Sequence, residues 1–119
     1  MTRGGGGTGL VEAIVQMGSV ETAYRRAGRG RPVLLLVDLA QAARDRLFWR
    51  LAETAMVVEP ALPPPPGEWP RWLRGVVDGL GLDRPDLVVV ESWVPAAEAF
   101  AREDPDRAGR IVPIGTIDP

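Results

Sequence analysis

The chain has 119 residues, room for one domain with a useful core and too few for two. Its 14 cations are all arginine, set against 16 Asp and Glu, which leaves a formal charge of −2. It contains no histidine, lysine, cysteine or asparagine. Within these residues there is therefore no Ser-His-Asp or Cys-His nucleophilic machinery, and no P-loop lysine, Schiff base or Ser-Lys dyad. Disulfides and zinc sites of the usual kind are excluded as well, so any metal site would have to be built on carboxylates. Hydrophobic residues at 45% and charged residues at 25% give the balance of an ordinary globular domain. A slightly acidic surface argues against nucleic acid and anionic membranes as partners. The apolar runs are far too short to span a bilayer, and the opening Thr2, Arg3 and glycines lack a signal peptide's apolar region. The expectation is a soluble cytoplasmic protein with no cofactor and no metal.

In chain order, residues 1–9 read as a flexible glycine-rich tail, and residues 10–119 as a single domain. The glycines follow no strand and no Gly-Lys-Ser/Thr closes them, so a phosphate loop is not expected. Residues 10–17 and 20–26 have strand character, and Gly18-Ser19 between them reads as a hairpin turn. From Pro32 onward, strands alternate with helices. Residues 33–37 form a continuous apolar run of the kind buried on both faces of a parallel sheet. Residues 40–53 carry Leu47, Phe48 and Leu51 at helical spacing, and 55–58 read as a second short strand. A stiff proline loop, 63–66, follows. Residues 69–80 are helical, with Trp72, Leu73, Val76, Val77 and Leu80 on one stripe and Gly81 as the C-cap. Residues 87–90 read as a third buried strand and 96–102 as a helix. A fourth strand, 111–117, opens at Ile111 and closes at Ile117. Strands separated by helices of this length imply an α/β fold: an N-terminal β-hairpin, then a mostly parallel three-layer sheet with helices on both faces.

The run Ala23-Tyr24-Arg25-Arg26-Ala27-Gly28 through Pro32-Val33-Leu34-Leu35-Leu36 resembles the opening of α/β-hydrolase-fold proteins. Residues 51–63, with Val57-Val58-Glu59-Pro60-Ala61-Leu62-Pro63, are similar to that family's second crossover. Leu80-Gly81-Leu82-Asp83-Arg84-Pro85-Asp86-Leu87-Val88 resembles its approach to the nucleophile elbow, and residues 104–116 resemble the return strand. The likeness covers nearly the whole chain from Leu10, in the family's order, and corresponds to the N-terminal half of such a domain, which the triad's acid and base would follow.

The resemblance places Ser92 at the nucleophile position, but the elbow Gly-x-Ser-x-Gly here reads Val90-Glu91-Ser92-Trp93-Val94. Branched side chains resist the strained backbone of that turn. The same resemblance puts the backbone amides of Leu39 and Trp93 at the oxyanion positions. Where the family's oxyanion loop has His-Gly, this chain has Val37-Asp38-Leu39, and a carboxylate there repels the charge that catalysis must stabilise. Ser92 also suits a plainer role as a helix N-cap.

Residues 33–38, Pro85-Asp86-Leu87-Val88-Val89-Val90-Glu91 with Pro95, and Ile114-Gly115-Thr116 also resemble response-regulator receiver domains, a likeness that would put Asp38 at a metal-binding acid, Glu91 at the phosphoacceptor and Thr116 at the switch hydroxyl. The receiver lysine is absent, the second acid is Leu39, and receivers have no N-terminal hairpin. On either likeness Asp38 and Glu91 end neighbouring strands at the switch point where open α/β sheets bind ligands. The two carboxylates can hold a ligand, share a proton or face water. Of the four tryptophans, Trp72 belongs to a core stripe, Trp69 caps the core or meets a partner, and Trp93 lines whatever pocket is present.

The function expected from the sequence is a non-catalytic, degenerate α/β-hydrolase-like protein that acts by binding a protein or a small ligand. A serine hydrolase for a small ester, completed by a partner chain, is the alternative, and a pseudo-receiver signalling domain is a further one. The 111–117 strand is expected to be a free sheet edge that attracts a second copy or a partner chain.

Overall fold

The computed structural model describes residues 9–17, 20–62 and 69–114. The first eight residues of the expected glycine tail, the expected turn at 18–19, the proline loop and residues 115–117 of the expected fourth strand, Thr116 among them, lie outside these. Strands β1 (Val11–Met17) and β2 (Val20–Ala27) pair antiparallel, with Met17 opposite Val20, so they form the expected hairpin. Then come β3 (Pro32–Leu36), α1 (Gln41–Ala52), β4 (Met56–Pro60), α2 (Trp69–Gly79), β5 (Asp86–Val90), α3 (Val94–Glu103) and β6 (Ile111–Ile114). Helix α3 starts two residues earlier than expected, because Pro95 fits a first helical turn, where no amide partner is needed. Strand β4 runs two residues further than expected, because Tyr24 and Arg25 of β2 pair with Pro60 and Glu59.

The six strands form one sheet in the order β1-β2-β4-β3-β5-β6. Strands β4, β3, β5 and β6 are mutually parallel, and the hairpin joins antiparallel through β2 on β4. The chain steps from β3 to β4 in one direction, then back past β3 to β5 and on to β6 in the other. With right-handed crossovers, that reversal puts α1 on one face and α2 and α3 together on the other. The hairpin confirms this through side-chain alternation. Arg25 contacts α1, whereas Thr22, on the opposite face of β2, accepts a hydrogen bond from Trp72 of α2. The parallel strands alone would also suit a receiver; the antiparallel hairpin on β4 distinguishes this sheet from one.

The core lies on both faces of β3, β4 and β5. Leu34, Leu36, Leu87 and Val89 face α2 and α3 and are fully buried, as are Leu35 and Val57 beneath α1. This explains why β3 and β5 read as unbroken apolar runs and not as alternating ones. Helix α2 ends as its sequence implies. Gly81 takes φ +64°, its amide donates to Asp78 O and that of Leu82 to Val77 O, which is the Schellman arrangement.

Candidate active site

Strands β3 and β5 are neighbours, with Leu36 opposite Val89, so the segments that follow them emerge side by side at the carboxyl end of the sheet. After β3 come the buried Val37, the exposed Asp38 and the half-buried Leu39, and Ala40 is the N-cap of α1. After β5, Glu91, Ser92 and Trp93 form a single 3-10 turn that feeds directly into α3. Asp38 and Glu91 therefore do end adjacent strands at the switch point, and both face solvent. No cluster of three or more potential metal-ligating side chains occurs among the described residues.

Ser92 is exposed, and its turn is an ordinary one. Among the described non-glycine residues only Arg84 has a positive φ, so the chain bends at Ser92 without entering the left-handed region. The expected capping role fails too. Trp93 occupies the N-cap of α3 and makes no side-chain cap bond, because the 3-10 turn already carries the chain into the helix and leaves Ser92 one residue too early.

Trp93, expected beside a pocket, is only 3% exposed and packs into a cluster of indoles. Its ring stacks on Trp69 with centroids 3.9 Å apart and planes 6° from parallel, and Trp72 leans against it at 5.7 Å. The first turn of α2 thus closes over the start of α3 through three indoles. Trp72 Nε1 donates to the buried Thr22 Oγ1 at 3.2 Å, which ties the same cluster to the hairpin. Trp72, expected in a core stripe, is only partly buried and packs against the core together with Trp69; the indole that belongs to the buried core is Trp93.

A second group of polar residues, not singled out by sequence reasoning, occupies the α1 side of the sheet. Glu59, in the buried β4, is only 8% exposed. Its Oε1 accepts from Arg25 Nε at 2.7 Å, and its Oε2 lies 3.5 Å from Arg44 Nε. Arg25 also donates through Nη2 to Asp45 of α1 at 2.7 Å, and its guanidinium sits 4.1 Å over the Phe48 ring. Burial by itself would lower the Arg25 pKa, but its hydrogen bonds to Asp45 and Glu59 outweigh that and raise it above the ordinary arginine value. The network borders a cleft of about 660 Å³ walled by Tyr24, Arg25, Asp38, Gln41, Arg44 and Glu59 among others. Asp38 thus shares a cleft with this charged network, whereas Glu91, Ser92 and Trp93 are not among its walls. The available signal was Glu59 itself: a carboxylate continuing a buried apolar strand demands a cationic partner.

Comparison with known proteins follows the fold. No protein-family model and no curated protein sequence matches the chain. Solved structures do. Cfl2 from Burkholderia cenocepacia superposes with a TM-score of 0.76 at 20% identity, over 92% of this chain and 42% of that one. Epoxide hydrolase VrEH1 from Vigna radiata gives 0.73 at 15% identity, over 88% and 40%. A predicted CIB-like hydrolase from Thermoplasma acidophilum gives 0.74 at 14% identity, over 91% and 63%. The chain has the α/β-hydrolase fold, and it spans about two fifths of the first two structures' length. These identities speak to the fold alone.

Proposed function

We propose that this chain is a non-catalytic α/β-hydrolase-like module that acts by binding, through contact with another protein or a small ligand. The observation that carries this reading is Ser92. It stands where the fold would present a nucleophile, yet it sits in a relaxed 3-10 turn between Val90 and Val94, next to the carboxylate of Glu91. An elbow serine is driven by a strained, glycine-flanked turn and faces preorganised donors. Two exposed carboxylates, Asp38 and Glu91, follow the neighbouring strands β3 and β5, and negative charge at that end of the sheet opposes an oxyanion. The outer strand β6 exposes Val112 at 39% as a side-chain contact for a partner, while Pro113 limits backbone pairing along its edge.

A serine-directed fluorophosphonate probe tests the reading. Intact-mass and peptide analysis should find Ser92 unmodified after incubation that fully labels a control esterase. Stoichiometric labelling of Ser92 in the chain alone refutes it. A second reading, a serine hydrolase for a small ester completed by another chain, draws on the exposure of Ser92 at the end of β5. In it the backbone amides of Leu39 and Trp93 hold the oxyanion, and a partner supplies the histidine and acid. It requires labelling that appears only when a second polypeptide is added.

A further inference from the structure

The sheet has two outer strands, β1 and β6, and they differ in how they are protected. Strand β6 has four described residues, and one is Pro113. The Leu87 amide donates to Arg110 O, so by alternation the backbone groups of Ile111 and Pro113 point away from β5. Proline therefore removes a donor from the outer side of β6, a recognised guard against edge pairing. Strand β1 has no such guard. It is seven residues long, contains no proline, and carries one charge, Glu12. Among the described residues no strand pairs with its outer side.

The direction of its backbone groups follows from one hydrogen bond. Ala23 O accepts from the Ala61 amide, so Ala23 faces away from β1. Its partner in the hairpin is Ile14, whose own amide and carbonyl must then point to the outer edge. Ile14 is also the most exposed large apolar side chain described, at 61%.

We infer that a second copy of this chain pairs with β1 edge to edge, antiparallel, about a two-fold axis through Ile14. A two-fold interface must be self-complementary, and the β1 sequence Val-Glu-Ala-Ile-Val-Gln-Met is so about its centre. Ile14 meets the second copy's Ile14 and exchanges both backbone bonds with it. Ala13 falls opposite the second copy's Val15, and Val11 opposite its Met17. Glu12 falls opposite Gln16 of the second copy, so no like charges meet. The two six-stranded sheets join into one of twelve strands, with both β6 edges left outermost. This pairing is independent of what Ser92 does.

Size-exclusion chromatography with light scattering, run over a concentration series on the full chain, tests it. The wild type should show twice the chain mass at high concentration. Ile14→Lys, at a solvent-facing position, should weaken the dimer at least tenfold while leaving the thermal midpoint of the monomer unchanged. Val112→Lys on β6 should leave the dimer intact. The register has its own test: Gln16→Glu sets two pairs of carboxylates face to face and should weaken the dimer several-fold, whereas Gln16→Lys should tighten it. A monomer at every concentration overturns the inference. So does a dimer lost with Val112→Lys and kept with Ile14→Lys, which would assign self-association to β6. Equal affinities for the two Gln16 variants overturn the register.

Discussion

Replacing Gly28 with alanine separates two costs that usually arrive together. Gly28 links the hairpin to β3 at φ +88°, and a Cβ built on it would run into the backbone carbonyls of Ala55 and Ala52, the latter at 2.6 Å. Those carbonyls belong to the end of α1 and the approach to β4, so neither can swing aside as a side chain would. Gly81 has a similar φ, +64°, but a Cβ there meets nothing within 4 Å. The left-handed penalty for a non-glycine residue, about 1–2 kcal/mol, applies to both. The gain from stiffening the unfolded chain, about 0.4–1 kcal/mol, also applies to both and cancels in the comparison. What remains for Gly28→Ala is overpacking against fixed backbone, about 1–3 kcal/mol more than for Gly81→Ala. At roughly 4 °C per kcal/mol for a chain of this size, its thermal midpoint should fall about 4–12 °C below that of Gly81→Ala. Urea melts of the two variants alongside wild type, followed by far-UV circular dichroism, measure the difference. Equal losses would mean that the hairpin-to-β3 connection is not held against the α1–β4 turn, and the reasoning would be wrong.

Glu59→Ala should cost about 2–3 kcal/mol, at or below the lower bound of the roughly 3–5 kcal/mol for breaking a fully buried pair, because Arg25 keeps Asp45 and both arginines are partly solvated. A loss under about 1 kcal/mol in a urea melt would show the network to be dispensable. Arg25 has a raised pKa, so its share of stability is complete below the ordinary arginine range and is lost only as pH rises beyond it; the Glu59→Ala penalty should accordingly be the same at about pH 7 and about pH 9. Trp93→Ala removes the centre of the indole cluster and should cost about 3–5 kcal/mol by denaturant melt; a cost below about 2 would contradict its burial. Trp72→Phe keeps the ring packing but strands the buried Thr22 hydroxyl, a loss of about 1–2 kcal/mol that the double variant with Thr22→Val should largely recover.

The particular elements show which information is local. Alternation in residues 11–17 and 20–26, unbroken apolar runs at 33–37 and 87–90, and the stripe of Trp72, Leu73, Val76 and Val77 each lie within a few residues of chain. Each states how one segment can be buried, and that is why the hairpin, the strands, the helices and the Gly81 cap were legible. The absence of histidine, lysine and cysteine was equally legible, and it bounded the chemistry these residues can perform. The backbone of Ser92 was foreseen in part: the valines flanking it implied an unstrained turn, but not that Trp93 would take the N-cap.

Other features depend on pairings between segments far apart in sequence. Glu59 meets Arg25 only because β2 lies antiparallel on β4, 34 residues away. Trp93 stacks on Trp69 only because α2 and α3 share a face of the sheet, which follows from the reversal of strand order and not from either helix's own sequence. Likewise, the strand from Ile111 was expected at an edge, but that β1 ends the other side of the sheet with Ile14 open on it is settled only when all six strands find their neighbours. The sequence by itself determined the elements and the limits on chemistry, because periodicity and composition act within one turn or one strand. Tertiary structure decided which charges are buried together, which tryptophan is core and which edge is open, because those depend on contacts that exist only once the chain has closed its long loops.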